Sequence, residues 1–169
     1  PGEHNRQNML LDTAAALQAG LDANAIERGL RSFPGVPHRL ENLGSLHGMH
    51  VFNDSKATNY DAAAVALQAV PGPIALLAGG LSKQGDASGW LQLLHDRVCS
   101  IALFGSDREV LLGLIRGSGY TGDVTSHPTM ADAVTAAIDQ GKSKSAASLL
   151  LSPACASFDQ YKDFEARGN

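Results

Sequence analysis

The sequence predicts an α/β fold, a doubly wound and mostly parallel sheet with an added N-terminal β-hairpin and a helical segment ahead of it. Three observations carry this. From residue 53 onward, short apolar runs alternate with stretches of helical spacing, the pattern of parallel strands joined by crossover helices. Before that, residues 39–53 hold two β-type runs split by His47-Gly48, a turn pair. Earlier still, residues 4–30 show helical periodicity alone. An alternating sheet of this kind is Rossmann-like, and its ligands bind beyond the carboxyl ends of the strands, where helix N-termini and backbone donors gather.

Taken in order, Met9, Leu10, Ala14 and Leu17 recur at helical spacing up to Gly20. Ile26 and Leu30 repeat the spacing after Asp22, whose carboxylate can cap a helix N-terminus. Pro34, Gly35 and Pro37 stop the helix and place a boundary, which divides the chain into 1–36 and 37–169. Arg39 to Leu46 and Met49 to Asn53 form the hairpin. Helices are then expected over 60–70, 88–97, 107–116 and 129–140, and strands at Ile74 to Ala78, Ser100 to Phe104, Asp123 to Ser126 and Ser148 to Leu151. A closing helix should contain Tyr161 and Phe164, and Trp90 lies on an apolar stripe that reads as core.

The 169 residues suit one domain with an appendage, and 44% hydrophobic content can fill a single core. A net charge of −4, with thirteen scattered Lys and Arg, argues against nucleic acid. No apolar run approaches the roughly 18 residues of a membrane span, and no signal peptide is visible, so a cytoplasmic protein is expected. Cys99 and Cys155 are too few and too far apart for a disulfide framework or zinc site, and the six histidines lack ligand spacing. The chain opens at Pro1 directly into helical pattern, as expected of a piece of something longer.

Three unusual segments each follow directly on a strand and therefore share one rim. NDSKATN (53–59) offers the carboxylate, ammonium and hydroxyl of Asp54, Lys56 and Thr58. Thr58 and Asp61 fit a capping box, but a cap does not ask for Asp54 or Lys56, so a binding loop is expected. GGLSKQGD (79–86) can turn backbone amides toward an anion while Lys83 supplies a point charge. SPACASFDQ (152–160) offers Ser152, Cys155 and Ser157; a nucleophilic Cys155 would need a nearby base that the sequence does not show. Arg39, at the boundary, can reach a phosphate on an adjacent domain. Two motifs are decoys. Gly117 to Gly122 matches GxGxxG but follows a helix, and Gln140 to Ser143 resembles the end of a phosphate-binding loop whose first glycine is replaced by Ala136.

HNRQN at 4–8, PHRLE at 37–41, NDSKATN, GGLSK at 79–83 and SPACASFDQYKDFEARGN at 152–169 together resemble the Mur ligases, and within them the D-glutamate-adding branch. The resemblance spans essentially the whole chain. It implies that residues 1–36 are the helical end of the family's central ATPase domain and 37–169 its C-terminal domain. The implied reaction joins UDP-MurNAc-L-alanine to D-glutamate in peptidoglycan precursor synthesis. ATP is split with Mg2+ along an acyl-phosphate route. By motif, Asn8 and Asp54 would contact the adenine and ribose side of ATP, with Asn5 nearby, and Arg39 would approach the phosphates. Lys83 and Ser157, with Thr58 and Phe164, would hold the carboxylates of D-glutamate, and Lys56 would support the same rim. A dicarboxylate needs several fixed donors, and gripping its far end aims its amine.

The resemblance implies no catalytic residue and no metal ligand within this stretch. The phosphate-binding loop, magnesium ligands and UDP site belong to the family's other domains, so turnover by this chain alone is not expected. Phe158 departs from the Leu of many relatives, and the chain stops at Asn169, short of the usual final residues. A non-catalytic nucleotide- or amino-acid-binding module and a sister ligase for another amino acid stay open as alternatives.

Overall fold

The computed structural model describes residues 3–169, with side chains from Arg6 onward. Helices α1 (Glu3–Gln18) and α2 (Ala23–Ser32) come first, and Asp22 caps α2 by accepting the Ala25 N–H at 3.0 Å. Strands β1 (Glu41–Leu46) and β2 (Met49–Asn53) form the hairpin. Its turn is tight because His47 and Gly48 both take positive φ, 51° and 86°, matching the right-handed twist of the flanking strands. Then follow α3 (Tyr60–Ala69), β3 (Ile74–Gly79), α4 (Ser88–Arg97), β4 (Val98–Phe104), α5 (Arg108–Gly117), β5 (Asp123–Ser126), α6 (Met130–Ser143), β6 (Ser148–Leu151) and α7 (Phe164–Gly168).

The strands order as β1-β2-β6-β3-β4-β5, with only the β1–β2 pair antiparallel. Right-handed crossovers explain the layers. The connections from β2 through β5 step in one direction across the sheet, so α3, α4 and α5 share a face. The return from β5 to β6 reverses direction and puts α6 on the other. The pleat agrees: Ile74, Leu76, Ala78, Ile101 and Leu103 join the core under α3–α5 with Trp90 and Leu94. Alternate residues Ala75, Leu77, Ala102 and Phe104 pack with Ala133 and Ala137 of α6. Strand β3 is buried along its whole length, so it reads as a continuous apolar run, as a central parallel strand should. Trp90 is 1% exposed, with its ring 5.3 Å from that of Tyr60, as expected of a core residue.

Four local expectations are corrected. The first strand begins at Glu41 rather than Arg39, because His38 and Leu40 take left-handed backbone, φ 60° and 46°, which no strand accommodates. Strand β4 begins two residues earlier than Ser100, at Val98. Tyr161 precedes α7, whose cap is Asp163 through the Ala166 N–H. The cap of α3 is Asn59, not Thr58: Asn59 is extended (φ −152°, ψ 169°) and its Oδ1 accepts the Ala62 N–H at 2.8 Å. Asn59 is a simple cap without the reciprocal bond of a capping box, since Ala62 has no polar side chain to return it, and the Thr58 hydroxyl faces Lys83 on the rim instead. Asn59→Ala should therefore cost about 1 kcal/mol in urea unfolding and Thr58→Ala under about 0.5; the reverse order would restore Thr58 as the cap.

Both decoys are ordinary structure. Gly117 closes α5, Gly119 takes φ 85° in the turn after it, and Gln140 to Ser143 lie inside α6. Helices α1 and α2 pack on each other and contain no buried residue among those described; Leu10 and Leu11 are 70% and 69% exposed.

Candidate functional site

All three segments expected on the rim sit there. They leave the C-terminal ends of β2, β3 and β6, which are neighbours or next neighbours in the sheet. Backbone hydrogen bonds weave them together. Gly79 N donates to Pro153 O at 2.9 Å, and Leu81 and Ala156 exchange both of their bonds at 2.9 Å. The two glycines of GGLSK serve this crossing: a Cβ on Gly79 would overlap the Phe104 carbonyl, and one on Gly80 the Ala156 carbonyl.

Asp54 occupies the floor of a pocket of about 270 Å³ whose walls include Arg39, Leu40, Lys56 and Ala66. Its carboxylate is 6% exposed and accepts the Leu40 N–H on Oδ1 and the Ser152 hydroxyl on Oδ2, both at 3.1 Å. Burial pushes its pKa up to about 6, against the pull of those hydrogen bonds and of Arg39. Arg39 is exposed because its neighbours are anchored on either side. His38 is buried against Asn53, with Nδ1 and Nδ2 3.1 Å apart, and Leu40 is tied to Asp54.

Across the loop, Lys83 Nζ lies 3.5 Å from Thr58 Oγ1, and a cleft of about 650 Å³ opens beside it, lined by Tyr60, Ser82 and Gly85 among others. Lys56 Nζ sits 5.0 Å above the Phe164 ring, a cation–π distance. Ser157 is 2% exposed and follows the Leu81–Ala156 bridge directly; no hydrogen bond joins it to Lys83 or Thr58. Asn8 is an exposed residue of α1 and lines neither pocket, and the side chain of Asn5 lies outside the described residues. Thus the structure draws together Asp54 with Arg39 and Lys56, Lys83 with Thr58, and Lys56 with Phe164. It does not bring Asn8 to them.

Cys155 is fully buried and its thiol is pushed up to about 12 by burial, so it is not poised as a nucleophile. Another hollow, of about 460 Å³, at Gly72, Pro73 and residues 95–99 lies at the opposite ends of β3 and β4 and gathers none of the expected residues.

Sequence reasoning missed the supports. Asp107 accepts the Ser82 N–H at 2.7 Å and its hydroxyl at 2.6 Å, which lowers the Asp107 pKa and holds the residue next to Lys83. Asp159 accepts the Ser106 N–H at 2.8 Å, which adds the loop after β4 to the rim. Arg167 is 1% exposed and reaches the three motif loops at once. Arg167 falls inside the 152–169 segment, but that segment alone assigns it no role, because its partners lie up to 112 residues away.

This architecture recurs in solved ligase and synthase structures. The UDP-N-acetylmuramate–alanine ligase of Thermotoga maritima superposes with a TM-score of 0.66 over 89% of this chain and 34% of that one, at 17% identity. A folylpolyglutamate synthase of Mycobacterium tuberculosis, solved with ADP, superposes at 0.64 over 91% and 38%, at 25% identity. In sequence, the chain is 59% identical over its full length to the UDP-N-acetylmuramoylalanine–D-glutamate ligase of Parasynechococcus marenigrum strain WH8102. It is 61% identical, over 99% of its length, to that of Prochlorococcus marinus strain MIT 9313. The chain spans 37% and 36% of these two relatives, so it is a homologue of one stretch of such ligases. No protein-family model matches it.

Proposed function

We propose that this chain is the part of an ATP-dependent, D-glutamate-adding ligase that holds the incoming amino acid and closes over ATP. The observation that carries this is the pairing of two cationic grips with a buried carboxylate on one rim: Lys83 at Thr58, Lys56 over Phe164, and Asp54 in a pocket shared with Arg39 and Lys56. In this reading residues 37–169 are the C-terminal domain and 1–36 the helical end of the domain before it. Asp54 accepts ribose hydroxyls of ATP, Arg39 meets the phosphates, and the adenine, beyond that pocket, is left to Asn5 and Asn8 of α1. Lys83, Ser157 and Thr58 take the carboxylates of D-glutamate, with Phe164 and Lys56 as the wall. The likeness to folylpolyglutamate synthases solved with ADP, one from Mycobacterium tuberculosis and one from E. coli, supports a nucleotide at this fold.

The chemistry divides accordingly. The γ-phosphate of ATP passes to the alanyl carboxylate of UDP-MurNAc-L-alanine and ADP leaves. The D-glutamate amine then attacks the acyl carbon, the amine loses its proton, and phosphate departs. Mg2+ would supply charge neutralisation at the phosphates, with its ligands expected in the family's central domain. This chain's share is positioning: gripping both carboxylates leaves the amine the only mobile end. Charged hydrogen bonds of about 1.5–3 kcal/mol each, against association costs of at least about 4 kcal/mol, predict weak D-glutamate binding by the chain alone. No helix among the described residues is long and apolar enough to cross a membrane, which is compatible with a cytoplasmic enzyme.

Phosphate release by the complete enzyme with ATP, Mg2+ and UDP-MurNAc-L-alanine tests this reading when D-glutamate, L-glutamate and other amino acids are added in turn. Release that depends on D-glutamate is expected. Release with a different amino acid indicates a sister ligase, and no release with any of them indicates a binding module.

A further inference from the structure

Arg167 is a buried cation with no carboxylate within ion-pair distance among the described residues; its partners are neutral oxygens. Its Nη2 donates to the Ser55 carbonyl at 2.7 Å and its Nε to the Ser55 hydroxyl at 3.0 Å. Its Nη1 donates to the Cys155 carbonyl at 3.0 Å and, more loosely, to that of Gly79 at 3.4 Å. The planar fork thus spends four of its N–H groups on the three motif loops. Burying a guanidinium this way is costly, and burial lowers its pKa to about 10. A clamp whose only task was to pack the fold could be apolar and avoid that cost.

Each contact lies close to a group that grips the acceptor in the proposed function. Ser55 adjoins Lys56, Gly79 begins the loop that carries Lys83, and Cys155 is two residues before Ser157. Ser55 also ties the clamp to the wall, because its hydroxyl donates to the Phe164 carbonyl at 2.8 Å. On the nucleotide side the Asp54 carboxylate is held by Leu40 and Ser152 and receives no hydrogen bond from Arg167, although Asp54 adjoins Ser55 in the chain.

We propose that Arg167 is a positioning residue of the acceptor amino-acid pocket: its fork sets the spacing of Lys56, Lys83 and Ser157, and its unneutralised charge favours an anionic ligand at the rim. The proposal rests on the ligase reading and goes beyond it, since Arg167 acts through the loops it holds and not as a direct grip on a substrate.

The test uses the complete enzyme and three variants. Arg167→Lys keeps the charge but replaces the fork with a single ammonium that cannot span three loops. Arg167→Gln loses the charge as well. Ser55→Ala removes one hydroxyl from the clamp and leaves Arg167 in place. Expected for Arg167→Lys is a rise of roughly tenfold or more in KM for D-glutamate, with KM for ATP and for the UDP-linked substrate within about threefold of the parent. Arg167→Gln should be worse on the acceptor alone, and Ser55→Ala should raise the same KM by a few-fold. Equal shifts in all three KM values, or a change in kcat alone, would overturn the proposal. If both Arg167 variants fail to fold, Ser55→Ala decides, and an unchanged acceptor KM there also overturns it. Failure of the parent enzyme to release phosphate in response to D-glutamate would instead defeat the ligase reading, and the two failures are separately visible.

Discussion

Replacing Lys83 with alanine in the complete enzyme is expected to lower kcat/KM for D-glutamate by roughly 10–100-fold, while KM for the UDP-linked substrate stays within about threefold. Lys83 is exposed, lies 3.5 Å from Thr58, and stands beside the open cleft, so its ammonium is available to an incoming carboxylate. A hydrogen bond between two charged groups contributes about 1.5–3 kcal/mol, and that difference sets the expected fold-change. The loop itself should survive the substitution, because its crossing is made by backbone bonds of Gly79 and Leu81 and by Asp107 on Ser82. Steady-state phosphate release with each substrate varied in turn checks this. Equal loss toward both substrates would remove Lys83 from the acceptor pocket.

Asp54→Asn is expected to separate stability from function. The folded-state pKa of Asp54, about 6, lies above its ordinary value of 3.8 because burial disfavours the charged carboxylate. The folded protein therefore holds this proton more tightly than the unfolded chain. The associated stability is fully present below about pH 4 and is lost as pH rises toward and through about 6. At pH 8 the ionised carboxylate costs roughly 3 kcal/mol, an order-of-magnitude figure at about 1.4 kcal/mol per unit. Asparagine keeps an acceptor for the Leu40 N–H and a partner for Ser152 but carries no charge. The ligand-free variant should thus be more stable than the parent at pH 8 and about equal near pH 4. Its KM for ATP should rise by about tenfold, since a neutral amide accepts ribose hydroxyls less strongly than a carboxylate does. Thermal melts across pH 4–8, paired with ATP titrations, check both halves. A variant less stable at pH 8 would contradict a burial cost at Asp54, and an unchanged KM for ATP would remove it from the nucleotide side.

Much of this was legible in the chain because it is locally encoded. The Asp22 cap, the His47-Gly48 turn and strands β2, β5 and β6 match their expected spans, since periodicities of 2 and 3.6 and turn chemistry are set by residues a few positions apart. The boundaries that shifted did so for reasons beyond a local window. His38 and Leu40 take left-handed backbone where the strand was expected to begin, and Leu40 is held there by a carboxylate 14 residues away. Asn59 and Thr58 are both competent caps, and the choice between them followed the backbone path out of a loop pinned at Lys56 N to the His38 carbonyl.

The alternation of apolar runs and helices, the three polar segments following strands, and the residues in them that carry charge were all properties of the chain read in order. So was the inference that those segments share a rim. The strand order was not: β6 enters between β2 and β3, pairing Ser148 with both His50 and Ile74, partners 98 and 74 positions away that no local window contains. The same holds for Arg167. It lies inside a recognisable terminal segment that does not say what it does, and it became the junction of three loops only when packing brought Ser55, Gly79 and Cys155 within reach of one planar fork, whose donors had to find acceptors once buried.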